Sequence, residues 1–446
     1  MNPKNTLLAI LCVFVILLAA PFTISHSQEP QVRTGTQEGR LARLAVADLQ
    51  MRGNDTQTIQ LTKLFNEVVW NDLDMAGVFD LVPKSFYPLK LPSQPGDLVY
   101  EQWTSNEVRA TDLAYGASYI ENGQFVAECR LIDLGTKESI IGLRYRVGLD
   151  DPGVRSAAHR FADEIVVKIG GGIPGVALTQ IAFVSDRTGN KEIWVMDYDG
   201  YGQHAITNHR SISLTPRWSA DNSKIAYTSY RRGNPAIYIQ SIQDNRLLSF
   251  PAFGGLTTTP AWAPDGERIA FTASQSGDPE IYVSDMRGKN LKRLTSSRGV
   301  DISPTWNPKT GKEIAFVSDR SGSPQIYIMD DEASNLRRIV TEGGEAVGPS
   351  WSPNGDLLAF SWRKVLDGNF DIYVVDIAKG GYIQLTREGG RNEHPVWSSD
   401  GRHIAFESDR TGAKQIYIML ANGTKQKQIT STGRNTAPAW SNFMNK

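Results

Sequence analysis

The sequence is poor in cysteine, has no surplus of charge of either sign and, beyond its first 27 residues, has no apolar run long enough to cross a bilayer. Its two cysteines are Cys12 and Cys129, and Cys12 lies in an N-terminal segment that we expect to be removed, so the mature chain can form no internal disulfide. We expect Cys129 to be a buried, unreactive thiol. Lysine and arginine total 47 and aspartate and glutamate 48, a balance that disfavours nucleic-acid binding.

The first 27 residues have the pattern of a secretory signal peptide. Lys4 precedes an apolar run over residues 7–20, which is too short for a permanent anchor. Ser25 and Ser27 are small residues at the two positions that a signal peptidase reads. We therefore predict cleavage after Ser27 and an exported product without a transmembrane segment.

Motifs of catalysis and metal binding are missing. The sequence contains no Gly-x-Ser-x-Gly nucleophile motif, and its six histidines form no pair with zinc-site spacing. We expect these histidines in loops and on the surface. Residues 197–200, Asp-Tyr-Asp-Gly, have some likeness to a calcium loop but lack its remaining ligands, so we interpret them as a plain turn. The sequence predicts no catalytic residue, no metal site and no cofactor, and hence a protein that is not an enzyme.

What the sequence does contain is a repeat. Six Pro-x-Trp triplets recur at steps of 44, 44, 45, 46 and 43 residues, which is the period of a four-stranded propeller blade. Their tryptophans are Trp218, Trp262, Trp306, Trp351, Trp397 and Trp440. A turn with glycine follows most of them, and an Ile/Leu-Ala-aromatic triplet such as residues 314–316 comes next as a second strand. We expect the six tryptophans to pack between blades rather than to form a ligand cage.

The two ends of the repeat are out of register. The first unit begins at Ile181 without a Pro-x-Trp strand before it, while the last triplet, at Trp440, has no second strand after it. The C-terminal strand is therefore predicted to complete the first blade, which leaves no open sheet edge. We predict a closed six-bladed β-propeller over residues 173–446.

Two further segments precede the propeller. Residues 28–40 are polar, and we predict a flexible N-terminal tail. Residues 41–172 are predicted to form a small α/β domain. It would contain a strand in 41–49, a helix with one apolar face from Leu61 to Leu73, a hairpin turning at 122–123, a strand at 140–147 and a helix at 154–169. The predicted fold class is thus mainly β, a six-bladed propeller preceded by a small α/β domain.

The residues just before each Pro-x-Trp triplet differ from blade to blade, although the motif beside them does not. We interpret this variation as freedom from structural duty and predict that the ring of these residues binds a partner. The ring comprises Leu214 and Thr215, Thr258 and Thr259, Ile302 and Ser303, Val347 and Gly348, Glu393 and His394, and Thr436 and Ala437.

Three Asp-Arg pairs occupy the loop between the second and third strands and are expected on the same face. Their arginines are Arg187, Arg320 and Arg410. Arginine is common at interface hot spots, so these side chains could bind a partner's acidic groups. The alternative is that each aspartate caps its turn and each arginine pairs or stacks locally. Both interpretations stay open from the sequence.

An exported chain with a polar tail, a small α/β domain and six Pro-x-Trp repeats resembles the TolB family, periplasmic propeller proteins of the Tol-Pal envelope system of Gram-negative bacteria. Residues 68–83, the region of Trp103 and the hairpin at 116–133 carry the resemblance beyond the repeat. It implies binding of the lipoprotein Pal through the propeller and of the inner-membrane protein TolA through the tail. The tail residues to which it assigns TolA contact are Gln28, Glu29, Val32 and Arg33.

The resemblance also implies a non-enzymatic adaptor, expected to be a monomer, that links Pal to inner-membrane Tol proteins for outer-membrane integrity and invagination during division. Two other functions are open. The propeller could bind a small ligand or glycan in its central channel, or it could regulate an enzyme in a separate chain. A pull-down from an envelope extract would distinguish the adaptor from a ligand-binding propeller.

Overall fold

A computed structural model describes residues 41–387 and 389–444. The predicted signal peptide, the predicted tail and the proposed TolA-contact residues Gln28, Glu29, Val32 and Arg33 lie outside the described residues. In the described part of the chain, no helix is both long and apolar enough to cross a membrane.

An α/β domain comes first. Its elements are β1 (Ala42–Val46), β2 (Gln50–Met51), α1 (Thr56–Met75), β3 (Phe79–Leu81), short 3-10 turns at Lys84–Phe86 and Pro95–Asp97, α2 (Tyr100–Thr104), β4 (Asp112–Glu121), β5 (Gln124–Asp133), β6 (Ser139–Val147) and α3 (Asp151–Ile169). The sheet has the order β3-β1-β4-β5-β6, with β1 parallel to both neighbours and β4, β5 and β6 antiparallel. The predicted strands, hairpin and two long helices are present at the expected positions, whereas β2, β3 and α2 were not predicted.

Local sequence explains the ends of the two long helices. Asp55 accepts a hydrogen bond of 2.8 Å from the backbone N–H of Thr58 and caps α1. Asp150 accepts one of 2.8 Å from Gly153 and caps α3 in the same way. Both helices pack on one face of the sheet around a core that includes Phe65. Cys129 is buried in that core, as predicted, and burial raises the pKa of its thiol.

The propeller consists of six four-stranded sheets, each with strand 1 at the central channel and strand 4 outside. Blade 1 contains Asn435–Trp440, Gln180–Ser185, Glu192–Asp197 and His204–Ala205; blade 2, Ser213–Trp218, Lys224–Ser229, Ala236–Ser241 and Leu247–Leu248; blade 3, Thr257–Trp262, Arg268–Ala273, Glu280–Asp285 and Lys292–Arg293; blade 4, Asp301–Trp306, Glu313–Ser318, Gln325–Asp330 and Arg337–Arg338; blade 5, Glu345–Trp351, Leu357–Arg363, Asp371–Asp376 and Tyr382–Gln384; blade 6, Asn392–Trp397, His403–Ser408, Gln415–Leu420 and Lys427–Gln428.

The ring closes as the displaced last triplet predicts. The C-terminal strand pairs antiparallel with the first propeller strand, so that Trp440 lies opposite Ile181. The indole N–H of Trp440 donates to the hydroxyl of Thr179 at 2.7 Å, and that of Trp218 donates to the carbonyl of Ala439 at 3.1 Å. The last strand is therefore tied both to its own blade and to the next one.

The repeated tryptophans belong to the core, as predicted. Five of the six are less than a tenth exposed, and Trp262 is partly buried. The indole N–H of Trp262 donates to the carbonyl of Arg217 in the preceding blade, at 2.9 Å, and that of Trp351 donates to Thr305 at 3.3 Å. Each of these bonds links two blades. The buried indole N–H groups of Trp306 and Trp397 have no hydrogen-bond partner in the described residues, so burial is what the repeated tryptophans share.

The two ends of the propeller differ in what covers them. We call the loop face the end that carries the loops between strands 2 and 3 and the loops that lead into strand 1. The opposite end, with the turns between strands 1 and 2 and between strands 3 and 4, is the domain face, because the α/β domain contacts it at blades 1 and 6. Arg155 of α3, for example, pairs with Asp199 of blade 1. The domain face is thus partly occupied by the chain itself.

Two histidines correct the expectation that all of them lie in loops or on the surface. His159 and His403 are 3% and 0% exposed, and both lie where the α/β domain meets the propeller. Residues 197–200 do form a turn, in which the N–H of Gly200 bonds the carbonyl of Asp197 at 2.9 Å. That turn also contributes to the domain contact through Tyr198. Neither role can be read from local sequence, because the partners lie tens to hundreds of residues away.

Candidate partner-binding surface

The predicted ring of variable residues surrounds the channel mouth on the loop face, and we call it the channel-mouth ring. Its members are Leu214, Thr215, Thr258, Thr259, Ile302, Ser303, Val347, Gly348, Glu393, His394, Thr436 and Ala437. Of these, His394 is exposed and the others are partly buried. The structure therefore brings all six variable pairs together around one opening.

The backbone of this ring has the same constrained conformation in every blade. This corrects the interpretation that the variable residues have no structural role. The residue just before the proline has a left-handed conformation in all six blades, with φ between 48° and 63°. At the same place the register between strands 1 and 2 shifts by a bulge in all six blades. The side chains vary, but the backbone does not, so substitutions at these residues must tolerate a strained conformation.

Hydrogen bonds between blades add to this constraint. The backbone N–H of Thr259 donates to the hydroxyl of Thr228 in the preceding blade at 3.0 Å, and the N–H of His394 donates to Ser361 at 2.9 Å. Ala437 repeats the pattern with the carboxylate of Glu407 at 2.7 Å. The ring is consequently a connected rim rather than six independent loops.

One sector of the rim is charged. In blade 6, Lys414 donates to Glu393 at 2.7 Å and to Glu407 at 2.5 Å, and the ring nitrogen Nδ1 of His394 lies 3.2 Å from Glu407. Burial alone would raise the pKa of the Glu407 carboxyl, but the charges and hydrogen bonds of His394 and Lys414 lower it to about 2. The side chain of His394 is 47% exposed, yet desolvation at the channel mouth would lower its pKa, and the charge and hydrogen bond of Glu407 raise it. Threonine, valine or serine occupies the place of Glu407 in the other five blades, so blade 6 breaks the symmetry of the mouth.

The three arginines of the Asp-Arg pairs are held by one local arrangement. In each, Nε donates to the serine that ends strand 2, at 2.8–2.9 Å. A terminal nitrogen donates to the first residue of strand 1 of the same blade, which is Asn435 for Arg187, Asp301 for Arg320 and Asn392 for Arg410. The guanidinium also lies over an aromatic ring of strand 3, at 4.4, 5.1 and 4.7 Å from its centre.

The aspartates of these pairs cap backbone groups. Asp186, Asp319 and Asp409 accept hydrogen bonds of 2.7–2.8 Å from N–H groups in the loop that leads into strand 1. The structure thus shows the local role for both members of all three pairs. Contact of these arginines with a partner stays a prediction.

Exposed apolar side chains on the loop face are a feature that the sequence reasoning missed. Val365 and Leu366, in the loop between strands 2 and 3 of blade 5, are 66% and 73% exposed. Ile212, Tyr230 and Val300 are also exposed on this face. The stretch from Phe360 to Tyr373 is two residues longer than the matching stretch of blade 4, and this insertion is the signal that could have revealed the loop.

The other end of the channel holds a cavity of about 180 Å³ lined by residues that include Trp306, Trp351, Trp397 and Trp440. In residues 41–387 and 389–444, no three His, Cys, Asp or Glu side chains lie close enough together to hold a metal ion.

Comparison with known proteins gives matches over both parts of the chain. The family model described as the TolB beta propeller domain matches residues 168–365 and 343–445, and the model described as the TolB amino-terminal domain matches residues 34–140. The Tol-Pal system protein TolB of Desulfosudis oleivorans is 35% identical over 215 residues, or 47% of this chain and 48% of that relative. The protein of the same name from Geobacter metallireducens is 36% identical over 208 residues, or 46% and 47%.

These alignments with curated relatives span about half the length of each relative. A solved structure matches more of the chain. The crystal structure of TolB from Acinetobacter baumannii has a TM-score of 0.77 at 25% identity and covers 91% of this chain and 97% of that one.

Proposed function

The chain belongs to the TolB family, and from this premise we propose that it is a non-enzymatic periplasmic adaptor of the Tol-Pal system. In this proposal the loop face of the propeller binds Pal and the N-terminal tail binds TolA. The protein then links the outer membrane to inner-membrane Tol proteins, which supports outer-membrane integrity and its invagination during division.

The observation that carries the Pal proposal is the uneven use of the two propeller faces. The α/β domain contacts the domain face, whereas the loop face carries the variable channel-mouth ring and the exposed Val365 and Leu366. Exposed apolar side chains beside a polar rim are typical of protein interfaces. The charged sector around Glu407 occurs in blade 6 only. A partner with complementary charge would therefore bind the propeller in one rotational orientation.

Leu366→Asp tests this surface. The exposed side chain can be replaced without opening a cavity, so folding should persist. In the complex with Pal the new carboxylate would be buried, which should weaken Pal binding at least about tenfold. Leu336→Asp is a matched control, because Leu336 is 46% exposed in a turn on the domain face of blade 4. Titration of purified Pal in a calorimeter measures both. Equal Pal affinity for the wild type and Leu366→Asp would move the site away from this loop.

The TolA proposal rests on the family resemblance and on the polar composition of residues 28–40. Deleting these residues should abolish TolA binding and leave Pal binding and thermal unfolding of the propeller intact. TolA retention by the deleted form, measured by co-purification, would discard the tail as the TolA site.

A second candidate, binding of a small ligand in the channel, has one observation in its favour, the tryptophan-lined cavity. Its volume of about 180 Å³ is smaller than the roughly 300–1,000 Å³ of ordinary ligand sites. Saccharides that quench tryptophan fluorescence of the pure protein at micromolar concentration would favour this candidate. Capture of an enzyme, rather than of Tol proteins, from an envelope extract would favour a regulatory propeller.

A further inference from the structure

The C-terminal end of α1 has a charge arrangement that disfavours a helix end. Its last turn contains Asp72 and Asp74 and no basic residue. The last carbonyls of a helix are unsatisfied and carry partial negative charge, so carboxylates there are unfavourable and cations are favourable. Helix α1 itself therefore supplies no cation to this end.

Blade 6 of the propeller supplies the missing cations. The ammonium of Lys425 donates to the backbone carbonyl of Asp74 at 2.7 Å and to its carboxylate at 2.5 Å. The ring nitrogen Nε2 of His403 lies 2.7 Å from the carbonyl of Met75, the last residue of α1. Both residues are on the domain face, Lys425 in the turn between strands 3 and 4 and His403 at the start of strand 2.

The surroundings of His403 present an acceptor to each of its ring nitrogens. Its other nitrogen, Nδ1, lies 3.0 and 3.2 Å from the two carboxylate oxygens of Asp400. Burial would raise the pKa of Asp400, but His403 and Arg402 hold it well below its ordinary value, so the carboxylate is ionised. A ring nitrogen can bond a carbonyl or a carboxylate only as a donor. Both nitrogens of His403 face acceptors, so only a doubly protonated ring can donate to Asp400 and to Met75 at the same time.

We propose that His403 and Lys425 form a pH-sensitive latch that holds the α/β domain on the propeller by capping the C-terminal end of α1. When the imidazolium loses a proton, one of its nitrogens becomes an acceptor facing another acceptor. The ring then keeps its hydrogen bond to only one of Asp400 and Met75, and the positive charge that favours the helix end is lost. The latch is closed with the ring doubly protonated and weakens as pH rises. This inference does not depend on which partners the propeller binds.

Other ionisable groups face the latch from each element around it. They are Asp400, Arg402 and Lys425 of blade 6, Tyr198 and Asp199 of blade 1, Asp72 and Asp74 of α1, and Arg155, His159 and Asp163 of α3. Burial raises the pKa of Asp163 to about 7, and Asp72 raises that of His159 against the effect of burial. Groups with raised pKa values stabilise the folded form at low pH and lose that effect as pH rises. Asp163 and His159 therefore add a pH response of their own, in the direction proposed for the latch.

The latch can be tested by amide hydrogen exchange of the full exported chain. Exchange is followed at residues 73–77 and corrected for intrinsic rates. In the wild type, protection of these amides should fall about tenfold or more between pH 6 and pH 9, as expected when a charged hydrogen bond is lost. Amides in the middle of α3 serve as the internal reference. His403→Leu should show the low protection at both pH values. Leucine is a compatible replacement, because Leu357 occupies the same position in blade 5.

Two further variants separate charge from structure. Lys425→Met should lower protection at both pH values and keep the pH dependence, whereas Lys292→Met, a surface lysine of blade 3, should change nothing. Asp163→Asn should also keep most of the pH dependence. The proposal is overturned if the wild type is equally protected at both pH values or if His403→Leu keeps the wild-type response. It is also overturned if Asp163→Asn alone abolishes the response. If His403→Leu fails to fold, the ring-nitrogen chemical shifts of His403 in the wild type decide, since a singly protonated ring at pH 6 contradicts the latch.

Discussion

Tyr198, in the turn after strand 3 of blade 1, donates a hydrogen bond of 2.5 Å to the carboxylate of Asp72 in α1, 126 residues earlier in the chain. His159 of α3 lies 2.7 Å from the second oxygen of the same carboxylate. Asp72 is 6% exposed, so each of its oxygens depends on a protein partner rather than on water. One buried carboxylate thereby joins both long helices of the α/β domain to the propeller.

Tyr198→Phe should consequently weaken the protein beyond the effect of a lost hydroxyl. The variant keeps the ring and leaves one oxygen of a buried carboxylate without a donor, which should lower the free energy of unfolding by about 1.5–3 kcal/mol. Tyr230→Phe is the control, because Tyr230 is exposed on the loop face. Urea unfolding followed by tryptophan fluorescence compares the two. A Tyr198→Phe midpoint equal to that of the control would show that the bond contributes nothing.

Asp163 predicts how stability changes with pH. Burial, together with the charge of Asp72, raises its pKa to about 7 from 3.8. A raised pKa means that the folded form holds the proton more tightly than the unfolded form. The resulting stability is present below about pH 4 and is lost as pH rises through 7. The difference in unfolding free energy between wild type and Asp163→Asn should therefore shift in favour of the variant between pH 5 and pH 8. A difference that is constant with pH contradicts this assignment.

Closure of the ring predicts a strong effect of truncation. Deleting residues 434–446 removes the inner strand of blade 1 together with Trp440 and the carbonyl of Ala439 that Trp218 bonds. The open edge should lower the free energy of unfolding by far more than the roughly 1 kcal/mol of a typical substitution, and it should promote association between molecules. Thermal unfolding measures the loss. Deleting only residues 444–446 leaves the strand intact and should change little. Equal melting of both truncated forms would mean that closure does not stabilise the propeller.

Trp306 and Thr259 separate the core from the rim. Trp306→Ala removes an aromatic side chain that is 4% exposed and should cost on the order of 3–5 kcal/mol through the cavity it leaves. Sequence alone predicts that Thr259→Arg leaves stability unchanged, but the hydroxyl of Thr259 lies 2.7 Å from that of Thr272 and its φ is 48°. We now expect a loss of about 1 kcal/mol, together with weaker Pal binding. Thermal unfolding and Pal titration distinguish the two variants.

The fold could be predicted from the sequence because six units with the same motif and nearly the same length each predict one blade. The spacing of Trp218 to Trp440 predicts the blades, and the displaced last triplet predicts the closure. The left-handed residues before each proline could not be predicted, since residues before proline favour extended conformations. The contacts of Tyr198 and His403 with α1 were equally invisible, because they join segments that local periodicity does not relate. Of the candidate site, the ring was placed correctly, whereas the exposed Val365 and Leu366 were missed. The division of domains at residue 172 and the binding roles of the rim stay predictions.

The three structurally equivalent arginines on the loop face should respond differently to substitution. Arg410 and Arg187 donate to the neutral side chains of Asn392 and Asn435, but Arg320 donates to Asp301 at 2.6 Å. The Asp301 side chain is 0% exposed. Removing one partner of a buried ion pair leaves the other charge uncompensated, so Arg320→Ala should cost about 3 kcal/mol or more. Arg410→Ala loses guanidinium bonds to the uncharged Ser408 and Asn392 and leaves no buried charge behind, so it should cost less, about 1.5 kcal/mol.

Asp301→Asn provides the check on that reasoning. Blades 1 and 6 already have asparagine at this position, so an amide fits there, and it needs no cation. In the Arg320→Ala background, Asp301→Asn should restore most of the lost stability, measured by urea unfolding of the single and double variants. A double variant as unstable as Arg320→Ala would show that the loss comes from stacking of the guanidinium on Tyr327 and not from the buried charge. The outcome also bears on partner binding, since an arginine needed to neutralise Asp301 is not free to bind an acidic group of Pal.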